Sequence, residues 1–547
     1  GGLALPGMAL RRLALLAAVS GSTLSAGSSD AELERRIEQM RDLLKAENGK
    51  LARLEQLEEN SRKLADDLVD QIASIHGHYD ALHRPYNSAE SYNGALDCFW
   101  LIICGTFVMF MQAGFALVEA GVCRAKNVQS ILLKNLTDVA TGTLGWYFFG
   151  WSFAYSGPMK NGYKKNRFAG SEAFAGHHFA TDLPNGMLEP TRAPLDWFFQ
   201  WAFCATAATI VSGGVAERVN FPGYSIFSFC MTTFIYPIIV AWTWGGGFLA
   251  DMNEVGYMDF AGSGVVHLTG GIAALVGSAI AGPRIGRFPV GTTAKERITE
   301  CPEAFDPHSQ PLIILGTFIL WFGWYGFNCG STLAMHTIEN GFMAAHVAMN
   351  TTLAASVGGL VVFGLRYAML RRYDIGGLCN GILAGLVSIT AGCGSVETGT
   401  SILIGVLGAF IFQLASAALK AAKIDDPIDA FAVHGACGAW GVFAAGLFDW
   451  GAGFHAAHGW KGFRCHGTNC GTKDDNFGTQ LLLANLSEIC VIVLWSGGLS
   501  AIIFAILKAL KFLRATESME FSGLDKKHSP SKAYAEPAVQ DAMDADY

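Results

Sequence analysis

From Asp97 onward the chain is built of long apolar runs separated by short polar stretches. Eleven runs are countable, with centres near Phe107, Thr143, Ala207, Phe234, Ala273, Leu320, Val357, Leu386, Gly408, Gly438 and Val493. Each approaches the roughly 20 residues that a helix needs to cross the hydrocarbon core. The run around Leu386 is rich in glycine and carries the weakest apolar signal. The pattern predicts an all-α polytopic membrane protein with eleven transmembrane helices.

Residues 30–84 follow a different rhythm. Leu33, Ile37, Met40, Leu44, Leu51, Leu54, Leu68, Ile72 and Ile75 recur at alternating spacings of three and four, with charges between them. Glu47, Glu58 and Ser61 interrupt the seam, and Asn48-Gly49 weakens its middle. The rhythm predicts a short helical coiled coil, with a single solvated helix as the alternative. Pro85 ends it. Earlier still, "MALRRLALLAAVSGSTLSA" sets Arg11 and Arg12 before a short apolar run that closes on small residues. That is the pattern of a secretory signal peptide, too short to span a membrane; a disordered or targeting tail is the alternative. The expected organisation is a signal peptide region at 1–29, an extracellular coiled coil at 30–84, a membrane domain at 97–512 and a cytoplasmic regulatory tail at 513–547.

Charge in the loops gives an orientation. Arg124 and Lys126 follow the first run, Arg218 the third, and Arg284, Arg287, Lys295 and Arg297 the fifth. Arg366, Arg371 and Arg372 follow the seventh, and Lys420 and Lys423 the ninth. The loops after runs four, six and eight hold no Lys or Arg. By the positive-inside rule the N-terminus lies outside and the C-terminus in the cytoplasm. The long loop after the second run, with Lys160, Lys164, Lys165, Arg167 and Arg192, breaks the alternation.

Composition narrows the class further. Of 547 residues, 51% are hydrophobic and 15% charged, and the mean hydropathy is +0.32. A soluble chain of this length would carry more charge. The net charge of −8 sits mainly in tails and loops, and no basic stripe points to nucleic acid. The thirteen cysteines form no CxxC pair, and most fall in apolar runs where cysteine acts as a small hydrophobe. Cys465 and Cys470 share a polar loop that this topology places outside, where they can pair. No cofactor is expected, and no enzymatic activity.

A repeat is hidden in the runs. "DFAGSGVVHLTGG" begins at Asp259 and "DPIDAFAVHGACG" at Asp426. In each, Val-His follows with the histidine eight residues after the aspartate, and a glycine stands four residues after the histidine. His267 in the fifth run therefore matches His434 in the tenth. Five spans followed by five of opposite orientation make an inverted repeat, an architecture with its pathway near the midplane. Ionisable groups in a bilayer are expensive and usually face a cavity or each other. A lone histidine is more often structural. A matched pair can share a hydrogen bond across a lumen and handle a small polar solute without a fixed charge. His346 has no twin and reads as structural.

The motifs then become specific. The first run carries "FMQAGFALVEAGVCRAKN", the third "FFQWAFCATAATIVSGGVAER", and the fourth ends in "WGGGFLA". The fifth is "DFAGSGVVHLTGG", the sixth "WFGWYGFNCGS", the ninth leads into "DDPIDAFAVHGACG", and "GLDKKHSPSKAY" follows the last. In this order, from residue 97 to about 534, they resemble the ammonium transporter (Amt, methylammonium permease) branch of the Amt/Rh superfamily.

That resemblance implies a homotrimer with one narrow pore per eleven-helix subunit. It implies recruitment of ammonium at an outer aromatic and hydroxyl site, matched by Trp244 and Ser331. Indole is a good cation–π surface and serine an acceptor; taken alone, Trp244 would read as an interfacial belt residue. Phe203 and Phe327 match a pair of phenyl rings that constrict the pore, with Phe203 also at the substrate side. Trp324 matches a pore-lining indole, and His267 and His434 the paired pore histidines. Asp259 matches an acid near the mouth, assigned equally to proton transfer or to capping a helix. Asp426 and Asp429 match acids expected to cap or pin the inner loop. Glu119 is expected to pair with a neighbouring base or cap the bundle.

The tail "SGLDKKHSPSKAY" resembles a family regulatory motif at Gly523, Asp525 and His528, with Ser529 in place of a second glycine. Docking of the tail on a neighbouring subunit is therefore left open, and Ser529-Pro530 is a candidate phosphorylation site. The expected partners are ammonium or ammonia, with methylammonium as a related solute, the lipid bilayer, further copies of the chain and a cytoplasmic regulatory protein. The expected location is the plasma membrane. The rival readings are an ammonium sensor with little transport, a bis-histidine haem or metal membrane enzyme, and an Rh-type gas channel.

Overall fold

The computed structural model describes residues 30–83, 89–157, 159–160, 163–164, 166–177, 179–182, 188–254, 256–288, 305–448, 477–528 and 533–534. The expected signal peptide, Cys465, Cys470 and Ser529 lie outside the described residues. The chain divides into two units, residues 1–92 and 93–547.

The first unit is described by one helix, Asp30–His83, of 54 residues. It runs through Asn48-Gly49 without a break. Exposed pairs such as Arg62–Glu58 and Lys63–Glu59 support it at spacing i,i+4, each worth about 0.3–0.5 kcal/mol. The seam residues Ile37, Leu44, Leu54 and Leu68 are exposed in the single chain.

The second unit is a helical bundle. Among the described residues eight helices are long and apolar enough to cross a membrane: Gly94–Val122, Phe221–Trp242, Ser263–Ala281, Gln310–Gly330, Ile338–Leu370, Thr398–Ala421, Phe431–Phe448 and Thr479–Ala509. Leu136, Phe318, Leu360, Leu414 and Leu494 are exposed on its outer surface, as expected of a bundle whose solvent is lipid. Helices Val128–Gly145, Ala193–Gly214 and Ile375–Thr390 pack among the eight. Outside the helices lie two short antiparallel ribbons, Met159–Lys160 with Tyr163–Lys164 and Ala180–Asp182 with Leu188–Pro190.

Val128–Gly145 buries charge on its inward face. Lys134 Nζ donates to the Ser212 carbonyl at 2.9 Å and lies 3.8 Å from Glu119 Oε2. Glu119 also accepts from Ser212 Oγ at 2.7 Å. The base that the sequence left unnamed for Glu119 is therefore Lys134.

Ile375–Thr390 is the glycine-rich run. Glycine weakens its apolar signal and permits its packing. A Cβ on Gly358 of the facing helix would lie 2.6 Å from the Gly381 carbonyl oxygen and 3.0 Å from Gly385 Cα. The helix is short because the chain turns at 391–396. The carbonyls of Thr390 and Ala391 then accept from the N–H groups of Ala261 and Phe260, at 3.2 and 2.9 Å. The early stop thus fixes the segment that leads into His267.

At one end of the bundle the basic loops converge. Arg284 makes a two-pronged pair with Asp425 at 2.8 and 3.0 Å and reaches Glu217 at 3.2 Å. Arg124 pairs with the other Glu217 oxygen at 2.5 Å, and Arg218 donates to the Asp425 carbonyl at 2.5 Å. Arg124 and Arg284 both stack near the Phe305 ring, 4.5 and 4.9 Å from its centroid. Loops after the first, third, fifth and ninth runs therefore meet on one face.

The tail seats on that same face. Asp525 accepts from the N–H groups of Gln129 and Ser130 at 2.9 and 2.7 Å, capping Val128–Gly145. Asn127 Oδ1 accepts from Leu524 N at 2.9 Å. Gly523 has φ +93°, and a Cβ there would lie 2.6 Å from the Lys126 carbonyl oxygen. These contacts are within one chain.

At the other end, two arginines of the long loop that broke the charge alternation find local partners. Arg167 pairs with Asp251, while Arg192 pairs with Asp196 and donates to the Leu333 carbonyl.

Burial alone would raise the Asp425 carboxyl, but the Arg284 and Arg218 guanidiniums outweigh it and hold it down at about 2, against 3.8 ordinarily. A depressed value of this kind supplies stability above the ordinary carboxylate range, and that stability is lost as pH falls through the folded value. Arg284→Ala takes the two-pronged partner from buried Asp425 and one of two arginines from Glu217, and is expected to cost about 3 kcal/mol. Thermal unfolding in detergent measures this directly. Asp425→Asn should in addition flatten the fall in melting temperature between pH 4 and pH 2.

Candidate functional site

The two matched histidines lie in matched local structure. His267 sits in a π-turn, Ser263–Leu268, and His434 in another, Phe431–Ala436. Each turn leads directly into an α-helix. A π-turn widens the helix by one residue and is frequent at functional sites.

Aspartates cap both turns. Asp259 accepts four backbone N–H groups, from Gly262, Ser263, Gly264 and Val265, at 2.8–3.0 Å. Asp426 accepts from Phe431 N at 2.7 Å. Asp429, at φ +60°, accepts from Ser416 Oγ at 2.7 Å. Gly262, at φ +106°, needs its missing side chain: a Cβ would press within 2.9 Å of the Trp244 ring.

The matched glycines are reciprocal. A Cβ on Gly271, four residues after His267, would run into the Gly435 backbone and lie 2.8 Å from the His434 carbonyl carbon. A Cβ on Gly438, four residues after His434, would lie 2.6 Å from the Ser263 carbonyl oxygen and 2.9 Å from Leu268 N. Each repeat's glycine admits the other repeat's histidine turn.

The rings form one column. Trp244 meets Phe203 edge-on with centroids 5.9 Å apart. Phe203 and Phe327 stack at 4.0 Å. Phe327 stacks on His267 at 5.4 Å, and Trp324 lies flat against the same imidazole at 4.9 Å. His267 and His434 face each other, Nδ1 to Nδ1, at 3.2 Å. One ring must donate and the other accept. Phe115 closes the column, 5.9 Å from His434. His267 Nε2 is buried with no hydrogen-bond partner among the described residues. Phe203, Phe327, Trp324 and His267 are all nearly or fully buried.

The remaining sequence candidates are placed as follows. Trp244 is half-buried, and its Nε1 donates to the Asp259 carbonyl at 3.0 Å. Its ring belongs to the column through its edge-on contact with Phe203. Ser331 ends the Gln310–Gly330 helix one turn beyond Phe327, and its hydroxyl donates to the Phe327 carbonyl at 2.9 Å. His346 ties its helix to the 391–396 turn through the Val396 carbonyl at 2.8 Å. Among the described residues no group of three or more His, Cys, Asp or Glu could hold a metal ion.

The sequence matches the model of the Ammonium Transporter Family over residues 99–534. The chain belongs to the ammonium transporter family. The chain is 36% identical over 447 residues to ammonium transporter Amt2 of Archaeoglobus fulgidus, covering 80% of this chain and 88% of that one. It is 36% identical over 473 residues to ammonium transporter 1 member 3 of Solanum lycopersicum, covering 83% and 96%. Among solved structures it resembles a sensor Amt protein with a TM-score of 0.67 and 31% identity, over 80% of this chain and all of that one. The relatives are transporters, so the transporter belongs to a non-enzymatic membrane family.

Two residues of the site, and one acid outside the column, escaped sequence reasoning. Phe115 lay inside the quoted first-run motif, but one phenylalanine among 37 carries no signal of its own. Thr390, whose Oγ1 accepts from Trp324 Nε1 at 2.9 Å, lies at the end of the weakest run. Glu488 lies deep in the last run, where an acid is itself a signal.

The glycine crossing yields a sharp expectation for this transporter. Gly271→Ala and Gly438→Ala should each force the two turns apart and lower ammonium uptake in proteoliposomes by more than about tenfold, as displacement of about 1 Å does at a tuned site. Alanine at Gly364, where nothing lies within 4 Å of the added Cβ, should leave uptake unchanged.

Proposed function

We propose that the transporter recruits NH4+ at an outer site made by Trp244, Phe203 and Ser331, releases its proton near the Phe203–Phe327 gate, and conducts NH3 past Trp324, His267 and His434. The observation that carries this reading is the unbroken column from Trp244 to His434, with the phenyl pair at 4.0 Å and the two imidazoles at 3.2 Å. A phenyl constriction refuses a hydrated ion. A bare cation entering so dry a passage loses its hydration, at a cost of several kcal/mol or more. Neutral NH3 avoids most of that cost, and the unpaired His267 Nε2 offers it a hydrogen bond. Proton movement through the imidazole pair is a separate event that decides whether transport is electrogenic.

The architecture proposed with this function has eleven spans in a five-plus-five inverted repeat, N-terminus outside and C-terminus in the cytoplasm, assembled as a homotrimer in the plasma membrane. The convergence of Arg124, Arg218 and Arg284 on one face supports the orientation. The exposed seam on Asp30–His83 supports a three-stranded coiled coil, and the tail seated at Asp525 supports a regulatory role with a cytoplasmic partner. The resemblance to a sensor Amt protein favours a second reading, ammonium sensing with little flux.

Ammonium-induced current in proteoliposomes, recorded against pH, tests both. Current or pH-dependent uptake by the intact chain supports transport; a folded chain with neither supports sensing. His267→Asp and His434→Asp should change selectivity among NH4+, methylammonium and K+ by at least about tenfold, since a fixed charge then stands in the column. Selectivity equal to that of the intact chain would remove the histidines from the pathway. Deleting residues 30–84 should lower the melting temperature of the trimer in detergent, and unchanged melting would rule out the coiled coil as a trimer clamp.

A further inference from the structure

Behind the outer site lies a second carboxyl. Glu488, on the Thr479–Ala509 helix, is completely buried. It meets Asp259 over Gly264, where a Cβ would lie 2.7 Å from Glu488 Oε1 and 3.1 Å from Asp259 Oδ2. The two side chains are within hydrogen-bonding reach of each other. Their surroundings differ sharply. Each Asp259 oxygen already takes two backbone N–H groups. Neither Glu488 oxygen has an N–H or hydroxyl donor among the described residues.

Among the described residues no cation balances the pair. The titratable groups that face it are Tyr257 on the segment before the turn, Tyr236 on the fourth-run helix and Cys393 in the 391–396 turn. His267 stands one turn along from Gly264. All are neutral in their ordinary forms near pH 7 apart from the histidine, which is committed to His434. Asn485, one turn before Glu488, donates to the carbonyls of Met258 and Val442 and accepts from Met258 N. It has nothing left to offer the acid.

Two carboxylates in contact, buried and without a cation, cannot both be ionised. Four converging N–H groups make Asp259 the acceptor of the pair. That leaves one arrangement that pairs the two acids: a protonated Glu488 whose O–H donates to the Asp259 carboxylate. We propose that Glu488 and Asp259 share a single proton in this way, and that Glu488 is a positioning residue which sets the charge behind Trp244 at one negative unit. The Asp259 backbone carbonyl holds Trp244 Nε1 at 3.0 Å, so this charge acts on the outer aromatic site from directly behind it. Ionisation of Glu488 would add a second negative charge and strain the turn that carries His267. The proposal rests on the transport reading above for its functional consequence, and on geometry alone for the shared proton.

Two measurements on purified, trimer-reconstituted protein test it. The first is the infrared difference between the intact chain and Glu488→Gln near neutral pH. It should contain the stretch of one protonated carboxylic acid and no carboxylate pair of bands; carboxylate bands would overturn the shared proton. The second is ammonium-induced current across pH. Glutamine keeps a donor toward Asp259, so Glu488→Gln should hold neutral-pH current within about threefold of the intact chain while removing the alkaline change in apparent affinity. Glu488→Leu should lose more than about tenfold, with its expression and melting recorded alongside. A Gln variant that folds but loses current tenfold, or a Leu variant with the intact chain's pH profile, would overturn the positioning role. Absence of current in the intact chain would instead count against transport, and the infrared result would still judge the carboxyl pair.

Discussion

The structure depends on one close backbone crossing. Gly271 lies against Gly435 and the His434 carbonyl, and Gly438 lies against Ser263 and Leu268 N. Only at this separation can the imidazoles of His267 and His434 reach 3.2 Å across two π-turns. Small residues allow such approach in membrane bundles, where lipid supplies no hydrophobic drive between helices and packing must hold them together. The crossing is reciprocal because the sequence is: aspartate, histidine and glycine recur in register, and each glycine serves the other repeat's histidine. The capping aspartates follow from the same geometry. A π-turn presents more unpaired N–H groups at its start than an α-helix end, and Asp259 takes four of them.

Much of this was legible in the sequence, for identifiable reasons. The twin histidines were visible because a titratable residue in an apolar run is expensive and because two stood at the same offset from an aspartate. Glu119 was expected to pair with a base or to cap the bundle, and Lys134 stands 3.8 Å from it. His346 was expected to be structural, and it ties two elements together. Ring geometry was not legible. Nothing in the spacing of Phe203, Phe327 and Trp324 says that they stack in one line, because their helices are far apart in sequence and meet only through packing. Phe115 and Thr390 were hidden for the same reason. The glycine-rich run near Leu386 was weak as a span because its glycines are contact surfaces: at Gly381 and Gly385 the facing backbone takes the place of a side chain. In the polar segment the Asn48-Gly49 pair does not interrupt the helix, since two poor helix formers cost only about 1–2 kcal/mol against a frame of 54 residues.

The basic loops show why a topological rule works physically. Arg124, Arg218 and Arg284 come from three loops, yet they share Glu217 and Asp425 as counter-charges. The loop charge on which the proposed orientation rests thus also ties the ends of the helices. The tail joins the same face through Asp525 on the start of Val128–Gly145, and Glu520 receives both Ile285 N and Arg514. A disturbance of the tail therefore reaches the helix that holds Lys134 through the hydrogen bonds of its first-turn N–H groups. It has no need of long-range electrostatics, which salt would screen.

The placement of charge along the column argues for the form in which the solute travels. Behind Trp244 stands the Asp259–Glu488 pair, and at the far end stand Asp425, Asp426 and Arg284. Between them the column walls are phenyl, indole and imidazole rings, with no lysine, arginine, aspartate or glutamate side chain among the ring contacts that line it. A passage for a cation would have to replace lost hydration with acceptors, as rings of carbonyl or carboxylate oxygens do in ion-selective pores. Here the acceptors are confined to the mouth, and the interior offers two imidazoles committed largely to each other. Such a wall attracts a cation to its entrance and then gives it nothing further to bind. On the proposed transport reading, the interior suits the solute only once it has left its charge behind, because an uncharged molecule able to donate and accept single hydrogen bonds finds a partner at His267 Nε2. On that reading the aromatic mouth and the imidazole pair are successive conditions on one solute, first charged and then neutral.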